Sequence, residues 1–363
     1  MKAFLLGVRF GREDAEDTLA ELNDLARTAG YTVVGATIAR LRAVNPRLFV
    51  GSGKIEELKR LKSELAFDFL ILDDTLSASQ AKNIEDDLKC AVLDRPGLIL
   101  EIFAERAHSR EGKLQVELAE LEYMLPRLYN KGIEMSRLGG IVGLRGGGGE
   151  PYFEKQRRRI RRQIHSVKGE LDTLARQRET RRKIRKRQGM TVFALVGYTN
   201  VGKSSLLNAL TGSGVLVDDR LFATLDPTTR RVYLPALEKE VLLTDTVGFI
   251  RKLPHSLIES FKATLEEVTE ADILIHVVDP SGRQPFQQME SVRSVLEEIQ
   301  AAAKPVITVF NKMDLLTDSQ LEHLDVMART CRPSVLTSVY QKKGLAELLD
   351  LMASLCQQVP TAP

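Results

Sequence analysis

The sequence has few cysteines, and their spacing suggests neither a disulfide framework nor a metal site. Cys90, Cys331 and Cys356 are an odd number and include no CxxC pair. Disulfide-rich secreted domains and structural zinc sites need paired or closely spaced cysteines. The pattern argues against both classes and favours a reducing compartment, so we expect a cytoplasmic protein.

Long hydrophobic runs are also missing. A membrane-spanning helix needs roughly 18 or more consecutive apolar residues, and no run in the sequence approaches that length. The first residues lack the long apolar core and the cleavage site of a secretory signal. We therefore expect no membrane span.

Positive and negative charges nearly balance over the whole chain, but positive charge is concentrated in one segment. The net charge of +3 predicts no nucleic-acid partner by itself. Residues Glu154 to Arg187, however, hold 15 Lys or Arg against 4 Asp or Glu. An excess of one sign over so long a stretch favours a phosphate-backbone partner over a merely solvated surface.

The length of 363 residues, 43% of them hydrophobic, allows two or three domains. Residues 1–97 alternate short apolar runs with polar helical stretches, which is typical of a small α/β domain. Asp73 and Asp74 directly follow one such run, where many α/β proteins carry functional acids. Without a third candidate ligand, they are more simply explained as turn residues at the end of a strand.

Two apolar stripes predict an antiparallel helical hairpin over residues 98–187. Apolar residues recur at alternating four- and three-residue spacing, which gives each helix one stripe to bury against the other. The stripes are Leu114, Leu118, Leu121, Leu125 and Leu128, then Ile160, Ile164, Val167, Leu171 and Leu174. Pro126 must kink or end the first helix. The glycine-rich connector, 139–150, is either a flexible linker or a structured binding loop.

The strongest motif is a match to GxxxxGK[ST] directly after the apolar run Val192 to Val196. It comprises Gly197, Tyr198, Thr199, Asn200, Val201, Gly202, Lys203 and Ser204, followed by Ser205. Glycines let backbone N–H groups turn towards phosphate oxygens, and the positive end of the following helix faces them. In this motif the lysine reaches the terminal phosphates and the hydroxyl ligates Mg²⁺. The pattern predicts a phosphate-binding loop between a buried strand and a helix.

Segments downstream predict a magnesium and γ-phosphate site. A strand at 241–243 leads into Asp245, Thr246, Val247 and Gly248. Asp245 is placed to hold Mg²⁺ through water, and the Gly248 N–H to meet the γ-phosphate. One threonine should complete the Mg²⁺ shell, and the candidates are Thr224, Thr228 and Thr229.

Phe249 stands where faster hydrolysers carry a glutamine that orients the attacking water. A phenyl ring cannot do so, and we expect slow intrinsic hydrolysis. Our hypothesis is that a partner, or a cation such as K⁺ held near Asn200, supplies the missing stabilisation.

The segment Asn311, Lys312, Met313 and Asp314 predicts guanine recognition. Guanine presents N1–H and N2–H donors side by side to the Asp314 carboxylate, whereas adenine has an acceptor at N1. An unpaired buried carboxylate costs several kcal/mol, on the order of a thousandfold in affinity, so GTP is favoured over ATP. Ser338 and Val339, after the last predicted strand, could pack on the guanine O6.

With these motifs, the chain resembles the HflX family of ribosome-associated GTPases over nearly its whole length. The GYTNVGKS loop, DTVG and the segment Phe222, Ala223, Thr224, Leu225 and Asp226 are typical of that family. Three further stretches distinguish it from generic GTPase domains: 50–58, 92–100 and 111–118. The resemblance implies an N-terminal α/β domain, a helical hairpin, and a P-loop GTPase domain at 188–363 whose mostly parallel sheet is flanked by helices.

The resemblance also implies site residues and partners. Ser204 and Thr224 become the Mg²⁺ ligands, and Lys203, Thr224 and Gly248 the catalytic set, with GTP and GDP as ligands. The partner implied is the large ribosomal subunit, whose RNA would meet the basic hairpin. Members are implicated in splitting or rescuing stalled ribosomes. The connector departs from the family's usual GxRGPGExQLE, and we expect the additional C-terminal domain of many members to be absent or vestigial.

Two other interpretations remain open. One is an RNA-remodelling factor whose N-terminal half also uses nucleotide, supported only by Gly51-Ser52-Gly53-Lys54, which lacks the span of a phosphate loop. The other is an RNA-binding assembly factor in which nucleotide merely stabilises the fold.

Overall fold

The computed structural model describes residues 1–11, 15–139, 149–187, 189–212, 221–252 and 262–358. The glycine-rich connector expected at 139–150 therefore lies almost wholly outside the described residues. The described chain divides into two compact units. One holds Met1–Glu105 and Lys113–Thr173, and the other holds Arg106–Gly112 with most of the chain from Leu174 onward. The three-part division at 97 and 187 stays a prediction.

The first unit contains a parallel sheet in the order β2-β1-β3-β4. Its strands are β1 Lys2–Phe10, β2 Thr32–Leu41, β3 Phe69–Leu72 and β4 Ala91–Asp94. The helices are α1 Ala15–Thr28, α2 Ser52–Leu65, α3 Ala78–Leu88 and α4 Arg95–Arg106. Parallel strands need crossover connections, which α1, α2 and α3 provide. The run Ala3–Leu6 in β1 is fully buried, as expected of a central strand.

Two weak functional signals in this unit have structural roles. The buried Asp73 carboxylate accepts a hydrogen bond from Arg95 Nη1 at 2.6 Å, and it belongs to no metal-ligating group among the described residues. Lys54 Nζ is bound to Glu57 Oε1 and Thr37 Oγ1, each at 2.9 Å. Both side chains are therefore committed to ion pairs within the fold.

Asp94 is a buried carboxylate that ties the sheet to the long helix α5, Arg110–Gly139. Two backbone N–H groups, of Leu76 and Gly97, donate to it at 3.0 Å. Tyr123 Oη and Arg127 Nη2 of α5 donate at 2.6 and 2.9 Å. Burial and the neighbouring carboxylate raise the pKa of Tyr123, which keeps its phenol a donor.

The predicted apolar stripes pack together between α5 and α6, Gly149–Arg187. Their common cluster contains Leu114, Leu118, Leu121, Ile160, Ile164, Val167 and Leu171. The helices are antiparallel, because Glu111 pairs with Arg178 while Glu122 pairs with Lys168.

The alternative that Pro126 ends the first helix is wrong, since α5 continues to Gly139. Neither helix, nor any other in the described part of the chain, is long and apolar enough to span a membrane.

The second unit contains a larger sheet in the order β10-β9-β8-β5-β7-β6, parallel except for β6. The strands are β5 Val192–Gly197, β6 Thr228–Leu234, β7 Lys239–Asp245, β8 Ile273–Val278, β9 Val306–Phe310 and β10 Ser334–Leu336. The helices are α7 Lys203–Thr211, α8 Lys262–Glu270, α9 Pro285–Glu298, α10 Asp318–Thr330 and α11 Leu345–Gln358. The mixed α/β class with a mostly parallel sheet is confirmed. The strand order reverses beside β5, where sheets of this kind bind ligands at the carboxyl ends of their strands.

The substitution Arg127→Met should destabilise the first unit, because it leaves the buried Asp94 without its cation. Loss of one partner of such a pair costs about 1 to 3 kcal/mol for a partly exposed arginine. Thermal unfolding should show a clear fall in Tm. The matched change Arg293→Met, at a side chain 68% exposed, should leave the Tm nearly unchanged, and equal shifts would contradict the account.

Candidate nucleotide-binding site

The phosphate loop leaves β5 at Gly197 and enters α7 at Lys203, and its two glycines are required by close contacts. Gly197 has a φ of +151°, and a Cβ there would clash with the carbonyl oxygen of Val277. Gly202 has a φ of +95°, and a Cβ there would clash with the side-chain amide of Asn311. The loop is thus held close to the ends of β8 and β9.

Lys203 places a buried ammonium inside this loop. Its Nζ donates to the carbonyl oxygens of Gly197 at 3.1 Å and Tyr198 at 2.7 Å. Burial lowers the pKa of Lys203 to about 8, while the Asp245 carboxylate opposes the shift. A cation in this position can act strongly on phosphate charge because water does not screen it.

The three residues expected around Mg²⁺ meet in one cluster. Ser204 Oγ lies 2.6 Å from Asp245 Oδ2 and 2.8 Å from Thr224 Oγ1. Thr224 Oγ1 also lies 3.1 Å from the same carboxylate oxygen. Of the alternative threonines, Thr229 bonds to Thr244 Oγ1 instead. Among the three candidates, Thr224 is therefore the one whose hydroxyl lies beside Ser204.

Asp245 itself is fully buried at the carboxyl end of β7. Burial raises the pKa of its carboxyl group, and the nearby Lys203 and the two hydroxyls oppose that rise. Its second oxygen, Oδ1, is buried and has no hydrogen-bond partner in the described chain. A buried anionic oxygen of this kind is an available ligand for a hard cation.

The segment after Asp245 is joined to the phosphate loop through its backbone. Phe249 N donates to Gly197 O at 3.1 Å, and Thr199 N donates to Phe249 O at 2.9 Å. A Cβ at Gly248 would lie 2.7 Å from Thr199 Cγ2 and 3.0 Å from Lys203 Nζ. The phenyl ring of Phe249 is buried, so this position offers the site its main chain rather than a polar side chain.

Asn311 connects the segment predicted to recognise guanine to the phosphate loop. Its Nδ2 donates to Val201 O at 3.0 Å. Its Oδ1 accepts from Thr337 Oγ1 at 3.2 Å and from the backbone N–H of Val339 at 3.3 Å. One buried amide therefore joins three loops at the same edge of the sheet.

Lys312 and Asp314 follow Asn311 in the sequence and have separate partners. Lys312 Nζ donates to Asn200 O at 2.7 Å and pairs with Asp279 Oδ2 at 2.8 Å. The Ser338 hydroxyl donates to Asp314 Oδ1, which orients that carboxylate. Asp279 was missed by the sequence analysis, although it directly follows the buried strand β8 at the edge that carries the other site residues.

Other residues expected at the site contribute differently. The large apolar and aromatic ones are buried: Tyr198, Val201, Phe222, Leu225 and Val247. Thr246 donates its hydroxyl to Leu195 O at 2.6 Å, inside the sheet. Met313 begins a single 3₁₀ turn. The Asp226 carboxylate accepts from the backbone N–H groups of His108 and Ser109, at 3.1 and 2.7 Å.

Three family models match successive parts of the chain. They are described as GTP-binding GTPase N-terminal, at residues 16–104, GTP-binding GTPase Middle Region, at 106–185, and 50S ribosome-binding GTPase, at 192–312. The GTPase HflX of Caldanaerobacter subterraneus subsp. tengcongensis is 46% identical over 349 residues, covering 96% of this chain and 79% of that protein. The chain belongs to the HflX family of GTPases. The HflX of Escherichia coli K12 is 41% identical, over 87% of this chain and 74% of its own.

Solved structures similar to this chain include GTP-binding proteins in complex with GDP. A structure titled SsGBP in complex with GDP has a TM-score of 0.54 and 27% identity, and covers 99% of both chains. A GTP-binding protein of Sulfolobus solfataricus, also with GDP, has a TM-score of 0.50 and 26% identity over 99% of both chains. As a family member with a GTPase domain, this chain is a GTP-hydrolysing enzyme.

The contact between Gly202 and Asn311 can be tested by substituting the glycines at the two ends of α7. Gly202→Ala should weaken GDP binding at least about tenfold, because the new methyl group displaces the Asn311 amide from the loop. Gly212→Ala strains a similar left-handed backbone, with a φ of +64°, but its methyl group would meet nothing within 4 Å. Titration with a fluorescent GDP analogue should therefore show near-normal affinity for Gly212→Ala. Equal losses would mean that backbone strain alone is responsible.

Proposed function

We propose that this enzyme hydrolyses GTP with Mg²⁺ held by Ser204 and Thr224, and by Asp245 through water. We further propose that it binds the large ribosomal subunit in its GTP state and acts in splitting or rescuing stalled ribosomes. The observation that carries the first part is the cluster of these three side chains next to Lys203.

The side chains of the cluster fit a magnesium ion. Hydroxyl and carboxylate oxygens are the ligands this hard cation prefers, and Mg²⁺ usually retains several waters. The unpartnered, buried Asp245 Oδ1 is an acceptor that such a hydrated ion would satisfy. When bound, Mg²⁺ supplies charge neutralisation on the β- and γ-phosphates.

The residues of the chain itself position and stabilise the transferring phosphoryl group. Lys203 places its buried ammonium against the terminal phosphates, and the Gly248 N–H donates to a γ-phosphate oxygen. The phenyl ring of Phe249 has no polar group that could orient the attacking water. Hydrolysis by the chain alone is therefore slow in this proposal, and a partner or a K⁺ ion near Asn200 raises the rate.

Guanine selectivity comes from Asp314, whose carboxylate is oriented by the Ser338 hydroxyl. Pairing with guanine N1–H and N2–H satisfies the carboxylate, while adenine leaves it unpaired. The bond from Ser338 supports a fixed acceptor geometry, and Lys312 forms its ion pair with Asp279 instead.

The basic helix α6 supports an RNA partner. Arg159, Arg161 and Arg162 are exposed, and the described part of the chain provides none of them with an acidic partner. Exposed arginines without acidic partners suit the phosphate backbone of RNA better than they suit intramolecular stability. The family model described as 50S ribosome-binding GTPase favours the large ribosomal subunit as the source of that RNA.

Turnover of GTP should rise strongly when purified large ribosomal subunits are added, and the rise should disappear in Lys203→Ala. Phosphate release measured in K⁺ and in Na⁺ buffer separates stimulation by the ribosome from stimulation by a monovalent cation. Slow turnover that ribosomes leave unchanged would retain the GTPase and remove the proposed partner. Fast turnover by the chain alone in Na⁺ would contradict the role given to Phe249.

The exposed arginines of α6 give a second test. Changing Arg159, Arg161 and Arg162 together to Gln should weaken binding to the large subunit and reduce the slope of log affinity on log salt by about 2 to 3. A control triple of Arg230, Arg231 and Arg293 to Gln removes the same charge from other exposed positions. Equal losses in the two triples would reduce the contact to non-specific attraction.

A further inference from the structure

Asp226 is attached to the start of α5 rather than to the phosphate loop. One carboxylate oxygen accepts from the backbone N–H groups of His108 and Ser109, and the other accepts from the Ser109 hydroxyl. The same hydroxyl accepts from Gly112 N at 2.9 Å, so Ser109 caps the helix while it binds Asp226. A negative side chain at this end also interacts favourably with the helix dipole.

Gly112 is an independent sign that this contact is built into the sequence. Glycine inside a helix is unfavourable relative to alanine, and Gly112 has no positive φ that would explain its presence. A Cβ at this position would overlap with Asp226 Oδ1. Glycine is therefore the residue that lets the carboxylate approach the first turn of α5.

The attachment is close in sequence to the hydroxyl expected at Mg²⁺. Thr224 precedes Asp226 by two residues, and a chain spans at most roughly 3.6 Å per residue. The intervening Leu225 is buried, which removes slack from the short connection. The position of Asp226 on α5 thus limits where the Thr224 hydroxyl can lie.

The first turn of α5 also takes part in ion pairs with neighbouring helices. Arg178 of α6 pairs with Glu111 at 3.0 Å and with Glu266 of α8 at 3.2 Å. All of these residues, together with Asp226, Ser109 and Gly112, belong to the same compact unit. The segment that carries Thr224 is therefore bonded to a helix start that ion pairs hold in place.

We propose that Asp226 is a positioning residue for GTP hydrolysis, which couples Thr224 at the nucleotide site to the start of α5. The coupling is reciprocal by thermodynamic necessity. A γ-phosphate that fixes Thr224 favours this position of α5, and a partner that holds α5 in this position favours Thr224 at the ion. The inference rests on the proposed role of Thr224 as an Mg²⁺ ligand.

The test uses two variants that break the contact from opposite sides. Asp226→Ala removes the acceptor, and Gly112→Ala displaces it from α5 while improving helix propensity. Gly169→Ala is the matched control, because it makes the same change in α6, where a Cβ would meet nothing within 4 Å. Each full-length variant is assayed for GTP turnover, for affinity to GDP and for affinity to a non-hydrolysable GTP analogue.

Both contact-breaking variants should lower turnover about tenfold and weaken binding of the GTP analogue, because Thr224 acts only when a γ-phosphate is present. Affinity for GDP should stay within about twofold, which a generally damaged fold would not allow. The double variant should be no worse than the stronger single variant, since both remove one interaction. Gly169→Ala should behave as the unchanged chain.

Normal turnover in a folded Gly112→Ala, or additive losses in the double variant, would overturn the coupling. Thr224→Ala, assayed in parallel, separates this failure from failure of the proposed function. Unchanged turnover in Thr224→Ala would refute its role at Mg²⁺, whereas a loss there with normal Gly112→Ala refutes the coupling alone. If Gly112→Ala does not fold, Ser109→Ala removes one donor to Asp226 and should lower turnover in the same direction.

Discussion

The buried carboxylate of Asp245 is the group on which the organisation of the nucleotide site depends. Taking a carboxylate out of water is costly unless hydrogen bonds and opposite charge compensate for it. Ser204 from the phosphate loop and Thr224 from the following segment both bond to one of its oxygens, and the Lys203 ammonium opposes its protonation. Three separate segments are thereby drawn to the end of β7, while the second oxygen remains available to a cation.

A second constraint is the amide of Asn311, which joins the phosphate loop to the loops that follow β9 and β10. Its contact with Gly202 leaves no room for a side chain, and its carbonyl oxygen collects Thr337 and Val339. The segments proposed to bind phosphate and to recognise guanine therefore lie at one edge of the sheet and are joined by hydrogen bonds. Asp226 adds a third contact, since it joins the segment that carries Thr224 to the residues at the start of α5.

Much of this could be predicted from the sequence, because the motifs and periodicities encode local physics. The phosphate loop was recognisable from glycine and lysine spacing, and the helix pair from two apolar stripes that do pack together. Long-range partners were harder to predict. Asp279 and Ser109 have no motif of their own, and only the fold brings them to Lys312 and Asp226. One prediction from Pro126 was wrong, because α5 continues beyond it. Packing and the hydrogen bonds between Asp94 and α5 stabilise the helix on both sides of the proline.

In the proposed function, the bound nucleotide sets the affinity of the protein for the large ribosomal subunit. This dependence is tested most directly by the affinity of the intact chain for purified large ribosomal subunits, measured at one salt concentration with GDP and with a non-hydrolysable GTP analogue. The account predicts markedly tighter binding with the analogue, because the γ-phosphate fixes Thr224 and, through Asp226, the start of α5. Equal affinity with the two nucleotides would contradict it and would favour an RNA-binding assembly factor whose nucleotide serves only the fold.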